Sequence, residues 1–192
     1  MTINDFSNKR YVQAYLQANP EHKDLVDLAS YIISTKKSYA SFKEGAGQVL
    51  RQSYDEVIDM PRTRRWSLAQ LEKTEKTYVG TKVEILTRHW LDVDRGAKLD
   101  LLIDGHEVDV KNTVGTSWMI PTEAVGEICL LIQGNDIKGL YSIGLIRTNE
   151  NYLTKGGNKD GKRSINKEAK AKKILWLIHT AGLPENFFFS MD

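Results

Sequence analysis

Within the stretch KLDLLIDGHEVDVKNT, residues 98–113, Lys98 to Asn112 reads as two strands joined at Asp104-Gly105. Asp-Gly is favoured in type I′ turns, where both central residues need positive φ. With these two at the turn, Ile103 faces His106, and counting back along both strands sets Asp100 opposite Asp109. Side chains alternate along a strand, so the hairpin sorts into two faces. Leu99, Leu101, Ile103, Val108 and Val110 make a continuous apolar face. Asp100, Asp104, Glu107, Asp109 and Lys111 share the other, with Leu102 the one apolar exception. Asp104 and Glu107, beside the turn, read as ordinary solvated acids.

The pair further from the turn is different. Directly opposed residues have Cβ atoms ~5 Å apart, and like charges there are destabilising. At that separation and an effective dielectric near 20, the repulsion is about 3 kcal/mol. A divalent cation between the carboxylates turns this repulsion into coordination, and hard oxygen donors suit Mg²⁺. The Lys111 ammonium beside them can orient a water, help deprotonate it, or stabilise charge developing on a phosphate. Two carboxylates, a cation and a lysine are the parts needed to hydrolyse a phosphodiester. The spacing D-x8-D-x-K alone recurs by chance in many chains.

Outward from the hairpin, residues 24–60 carry apolar side chains at three- and four-residue spacing, which predicts helix, with Gly45 and Gly47 as a bend between two of them. Further helices are expected over 67–71 and 79–90. Strands are expected from Glu127 or Ile128 to Gln133 and from Leu140 to Arg147, with a short helix opened by Pro121. A lysine-rich helix is expected over 165–180, capped by Ser164. Helices, then strands, then helices give an α/β (α+β) layered fold, in one domain over residues 1–192.

Composition narrows the class. The chain has 192 residues, 41% of them hydrophobic and 27% charged, which is ordinary globular usage and excludes wholesale disorder. The single cysteine, Cys129, excludes an intrachain disulfide framework, and it sits in ICLLIQ as a buried strand residue. His89 and His106 have no partner that the sequence identifies. The segment MTINDFSNKRY lacks the apolar stretch of a signal peptide, and no apolar run is long enough to span a bilayer, so a cytoplasmic protein without membrane association is expected.

A net charge of +2 and a pI near 8.5 fall below the usual basicity of nucleic-acid-binding domains. The total hides a segregation. Residues 81–154 carry seven basic and eleven acidic side chains, whereas 61–80 carry five against two and 155–192 eight against four. An acidic middle lies between two basic flanks, as a localised cleft for a metal and phosphates would require.

Asp100 followed by Asp109-Val110-Lys111 resembles the core of the PD-(D/E)xK nucleases, in a D-x-K form without the leading proline. The chain is more closely similar to the NaeI-type restriction endonucleases. The similar stretches are 71–85 (LEKTEKTYVGTKVEI), 98–113, 117–130 (SWMIPTEAVGEICL) and 144–163 (GLIRTNENYLTKGGNKDGKR), so the resemblance covers roughly 45–178 and leaves 1–44 as a helical extension. It implies a restriction-endonuclease-like fold: a central mixed sheet with the catalytic hairpin, flanked by helices. It also implies a Mg²⁺-dependent type II site-specific deoxyribonuclease, cutting both strands of double-stranded DNA at a short palindromic site to leave 5′-phosphate and 3′-hydroxyl ends. Asp100 and Asp109 then correspond to metal-binding acids and Lys111 to the catalytic lysine. Glu84 matches a further acid supplied by a preceding helix, where the residues alone do not choose it over Glu72 or Glu75. The Val110 carbonyl is a further metal ligand by the same analogy. The NaeI-type enzymes continue into a second DNA-binding domain, and this chain, ending at Asp192, is expected to lack it.

A palindromic site matches a two-fold protein, so a homodimer is expected, with a companion DNA methyltransferase in the same system. For DNA contact the candidates are Arg62, Arg64 and Arg65, the glycine-rich loop bearing Lys159, Lys162 and Arg163, and the segment after the hairpin with Asn112, Thr116, Ser117 and Trp118. For Trp118 the competing reading is a core residue. Alternatives for the whole chain are a strand-nicking repair endonuclease of the same fold and a non-catalytic DNA-binding module.

Overall fold

The computed structural model describes residues 4–186, so residues 1–3 and 187–192 of the expected domain lie outside the described residues. Its hairpin turn is the one expected: Asp104 and Gly105 take φ of 48° and 78°. In chain order the elements begin with α1 (Lys9–Ala18), α2 (Lys23–Ser34), α3 (Tyr39–Ile58), α4 (Met60–Thr63) and α5 (Lys73–Leu91). Strands β1 (Leu101–Ile103), β2 (His106–Thr113), β3 (Met119–Ile120), β4 (Ile128–Asn135) and β5 (Leu140–Arg147) follow. The last elements are β6 (Arg163–Ser164), α6 (Lys167–Lys172) and β7 (Leu175–Gly182). Five strands form one sheet in the order β1-β2-β4-β5-β7, with β2 and β4 parallel and the other neighbours antiparallel. Strands β3 and β6 pair separately. The mixed sheet with helices is the layered α/β architecture expected of a restriction-endonuclease-like fold.

Both faces of the sheet are covered. Val108, Val110, Ile128, Leu130, Ile132 and Leu145 face the helical layer, where Leu28, Ile32, Leu50, Tyr54 and Val83 meet them. Cys129, Leu131 and Ile146 face the other way, into a second core with Trp118, Ile120, Ile165 and Ala169. Burial on both sides explains why ICLLI is an unbroken apolar run rather than an alternating one.

Several boundaries differ from the sequence expectation. The lysine-rich helix is only Lys167–Lys172, capped by Asn166, whose side chain accepts from the Ala169 amide (2.8 Å), and not by Ser164. Beyond it Ile174 to Ile178 runs into β7, because this apolar, β-branched and aromatic stretch is buried against β5 and the helices. The first helical break falls before Ser38, which caps α3 by accepting from the Ser41 amide (3.1 Å). Gly45 lies inside α3, where a Cβ would come within 3.1 Å of Trp90 Cε2; it permits close packing, not a bend. Residues 68–70 make only a single 3₁₀ turn. Helix α5 starts six residues before the expected Val79, at a capping box of Glu72 and Glu75. Helix α1 falls within the expected helical extension, 1–44, although the apolar spacing placed no separate helix before residue 24.

Strand β7 ends the sheet, and its outer edge is occupied. Tyr11 Oη accepts from the Trp176 amide (2.9 Å) and reaches the Ile174 carbonyl (3.5 Å). Tyr39 donates to the Leu177 carbonyl (2.8 Å), and Asp5 accepts from the His179 amide (3.4 Å). Among the described residues, no helix is long and apolar enough to cross a membrane.

Helix α1 is tied down by a buried polar cluster. Tyr15 Oη donates to the Lys173 carbonyl (3.0 Å) and meets His22 Nδ1 at 2.7 Å. Burial pushes the His22 pKa down from the usual imidazole value. The folded chain therefore holds His22 neutral where the unfolded chain protonates it, at about pH 6.5. This contribution to stability is complete above that pH and is lost as pH falls below it. The urea midpoint is expected to fall more between pH 7.5 and 5.5 in the wild type than in His22→Gln; equal falls would show that His22 is not responsible.

Candidate active site

Strand β1 begins only at Leu101, so β2 loses its ladder partner beyond Val108. The Asp100 carboxylate replaces that partner, with Oδ2 accepting from the Val110 amide at 2.7 Å. Asp109 is nearly fully buried, at 4% exposure, beside β4. Its Oδ1 accepts from Lys111 Nζ at 2.7 Å, and its Oδ2 lies 3.6 Å from the Cys129 thiol, which donates to it. Lys111 Nζ also donates to the Val110 carbonyl at 3.3 Å. Burial pushes the Asp109 pKa up, Lys111 pulls it back, and Asp100 adds to the upward push. Cys129 is a buried strand thiol, as expected, and burial holds it protonated.

Glu84 comes from α5. Its pKa is raised, first by burial and then by the Asp100 charge, against the pull of Arg88 at 3.3 Å. Glu84, Asp100, Val110 and Lys111 line one cleft of about 560 Å³, with Asp109 beneath it. Thr77, Gly80 and Thr81 of α5 form one wall; Asn112, Thr113, Val114 and Ser117 form the other. Asn112 Oδ1 is buried without a hydrogen-bond partner. Among the described residues, no three His, Cys, Asp or Glu side chains stand close enough together to hold a metal by themselves.

The candidate DNA contacts divide. Lys162 lines the cleft beside Ser117. Lys159 is exposed on its loop, whereas Arg163 is paired with Glu150 at 2.7 Å. Arg62 is paired with Asp59 (2.9 Å) but is otherwise open to solvent, and Arg64 sits in the left-handed region at φ 58°. Arg65 is held by both Glu75 oxygens at 2.6 Å, so its guanidinium fork is engaged within the protein. That pairing and the Glu72 amide hold the Glu75 carboxyl down at about 2. Thr116 and Ser117 are fixed by Lys170, whose Nζ donates to the Thr116 carbonyl (2.8 Å) and Ser117 Oγ (2.9 Å). Trp118 is a correction. It is 3% exposed in the second core and its indole N–H donates to the Ile132 carbonyl (3.0 Å), so it packs rather than reaching base edges.

Sequence reading passed over Lys170, which looked like one of several solvated helix lysines. Glu107 was read as solvated too, yet it accepts from the amides of Ala97, Lys98 and Leu99. Those amides hold its carboxyl below the usual range.

Residues 43–192 match the family model described as restriction endonuclease NaeI. The chain belongs to the NaeI restriction endonuclease family. The curated type II restriction enzyme NaeI of Lentzea aerocolonigenes is 38% identical over 133 residues, which is 68% of this chain and 42% of that protein. The chain thus spans less than half the length of this relative. The NaeI match begins inside α3 and takes in α5, the hairpin and β4. Helices α1 and α2 lie outside it, although Leu25, Leu28 and Ile32 of α2 are part of the same hydrophobic core.

Proposed function

We propose that this chain is a Mg²⁺-dependent type II restriction endonuclease that hydrolyses both strands of double-stranded DNA at a short palindromic site. One observation carries the reading. The Lys111 ammonium rests on Asp109 Oδ1 and the Val110 carbonyl, so two hard oxygens already converge on a cation at the floor of the cleft. That donor set fits Mg²⁺, with Asp109, the Val110 carbonyl and Asp100 to hold it and Glu84 beside them. When bound, the ion supplies charge neutralisation at the scissile phosphate.

The protein's own residues do the rest. The Lys111 side chain, 23% exposed, rests on Asp109 and lines the cleft, suited to orient the attacking water and counter negative charge on the phosphoryl oxygens. Water adds to phosphorus as the bond to the 3′ oxygen breaks, leaving a 5′-phosphate and a 3′-hydroxyl. Lys162, Ser117 and Asn112, which line the cleft, would hold the DNA, and the exposed Lys159 and Arg62 would add phosphate contacts. A palindrome calls for a homodimer, and restriction implies cytoplasmic action beside a companion methyltransferase.

Supercoiled plasmid incubated with the purified protein and Mg²⁺ tests this reading. Discrete linear fragments with a common end sequence are expected. Accumulating open circles would convert the assignment to a nicking enzyme, and DNA left intact under every divalent ion would refute catalysis.

A further inference from the structure

Segment 97–100 delivers Asp100 to the cleft before β1 has begun, so no sheet ladder holds it. Its backbone is held from β2 instead. Glu107 Oε1 accepts from the Ala97 amide at 2.7 Å, while Oε2 accepts from Leu99 at 2.8 Å and Lys98 at 3.3 Å. One carboxylate therefore gathers three consecutive amides, the last of them adjacent to Asp100. The approach is close: a Cβ at Gly96 would strike the Glu107 carboxylate and come within 2.6 Å of the Leu99 carbonyl and 3.0 Å of that of Leu101. Just upstream, the Asp94 carbonyl accepts from the Leu102 amide at 2.9 Å and folds the segment against β1.

We infer that Glu107 is the positioning residue for Asp100, acting through the backbone of 97–99 to set where that carboxylate meets the cation. The inference rests on the nuclease reading. Glu107, Asp109 and Lys111 alternate along β2, so one strand fixes all three charged groups of the site: two directly, and Asp100 through the amides it captures. A half-buried ligand held from both its backbone and its carboxylate loses little freedom when the ion arrives. Outer partners of this kind typically change metal affinity 10–100-fold when removed.

The test compares wild type, Glu107→Ala, Glu107→Gln and, as a neighbouring-acid control, Asp104→Asn. Mn²⁺ binding is measured by calorimetry without DNA, and thermal midpoints and Mg²⁺-dependent cleavage are measured alongside. Glu107→Ala is expected to weaken Mn²⁺ affinity at least about tenfold and to shift the Mg²⁺ dependence of cleavage by a similar factor. Its rate at saturating Mg²⁺ should stay within a few-fold of wild type. Glu107→Gln, whose carbonyl still accepts one amide, should fall between, and Asp104→Asn should match wild type. Unchanged Mn²⁺ affinity in both Glu107 variants would overturn the inference whatever they do to DNA. Should the alanine variant fail to fold, the glutamine variant decides. Failure of the wild type to cut DNA is read from the separate cleavage assay and overturns the nuclease reading, not the metal comparison.

Discussion

Replacing Lys111 with alanine should lower the rate of DNA cleavage at least ~10³-fold, the scale on which proton-transfer and charge-stabilising groups act. Affinity for DNA, measured without divalent ions, should change less than threefold, because the Lys111 ammonium is already engaged by Asp109 and the Val110 carbonyl. The substitution has a second effect. Asp109, with 6% of its side chain exposed, loses the ammonium 2.7 Å from Oδ1. Stranding a buried charge in this way costs on the order of 3 kcal/mol. Asp109→Asn avoids that loss, since an amide is neutral, while removing the same cation-binding oxygen. It should therefore fold as well as wild type and cut as poorly as Lys111→Ala. Cleavage by Asp109→Asn within tenfold of wild type would remove Asp109 from the mechanism.

Trp118→Ala should destabilise the fold by about 3–5 kcal/mol, the usual cost of emptying a buried aromatic site. Trp118 fills the second core between β4 and the β3–β6 pair. Trp118→Phe keeps most of that volume and loses the indole bond to the Ile132 carbonyl, so about 1 kcal/mol is expected. Urea unfolding measures both. A Trp118→Ala protein of full stability and reduced DNA affinity would instead put the indole on the DNA.

These two residues mark what local sequence can place and what it cannot. Asp104-Gly105 fixes the turn and so put Asp100, Asp109 and Lys111 on one face, although the ladder stops at Leu101–Val108 and the Asp100 carboxylate on the Val110 amide replaces the expected Asp100–Asp109 pair. The observed pairs Ile103–His106 and Leu101–Val108 are the ones counted from that turn. The strands Ile128–Asn135 and Leu140–Arg147 were legible from their apolar runs. Trp118 was not, because a tryptophan after a polar loop has the same local sequence whether it packs inward or points outward. Its burial depends on the β3–β6 pair, which joins residues over forty positions apart. Residues 173–180 failed for a related reason: charge spacing carried the helix reading past Lys173, while the sheet, not local propensity, decides the stretch after it. Glu107 was missed because its partners are backbone amides, and an amide has no letter of its own. Arg65 looked like a free cation until α5 brought Glu75 to both arms of its guanidinium.

The closed edge of β7 limits how two copies can meet. Sister chains often associate by continuing a sheet across a two-fold axis, each edge lending its peptide groups to the other. Here the outward groups of Ile174, Trp176, Leu177 and His179 are already engaged by Tyr11, Tyr39 and Asp5. The proposed dimer would therefore join on a surface other than this edge. The same closure guards the folded chain against growing end to end into a fibre, a protection to which α1 contributes through Tyr11 and α3 through Tyr39.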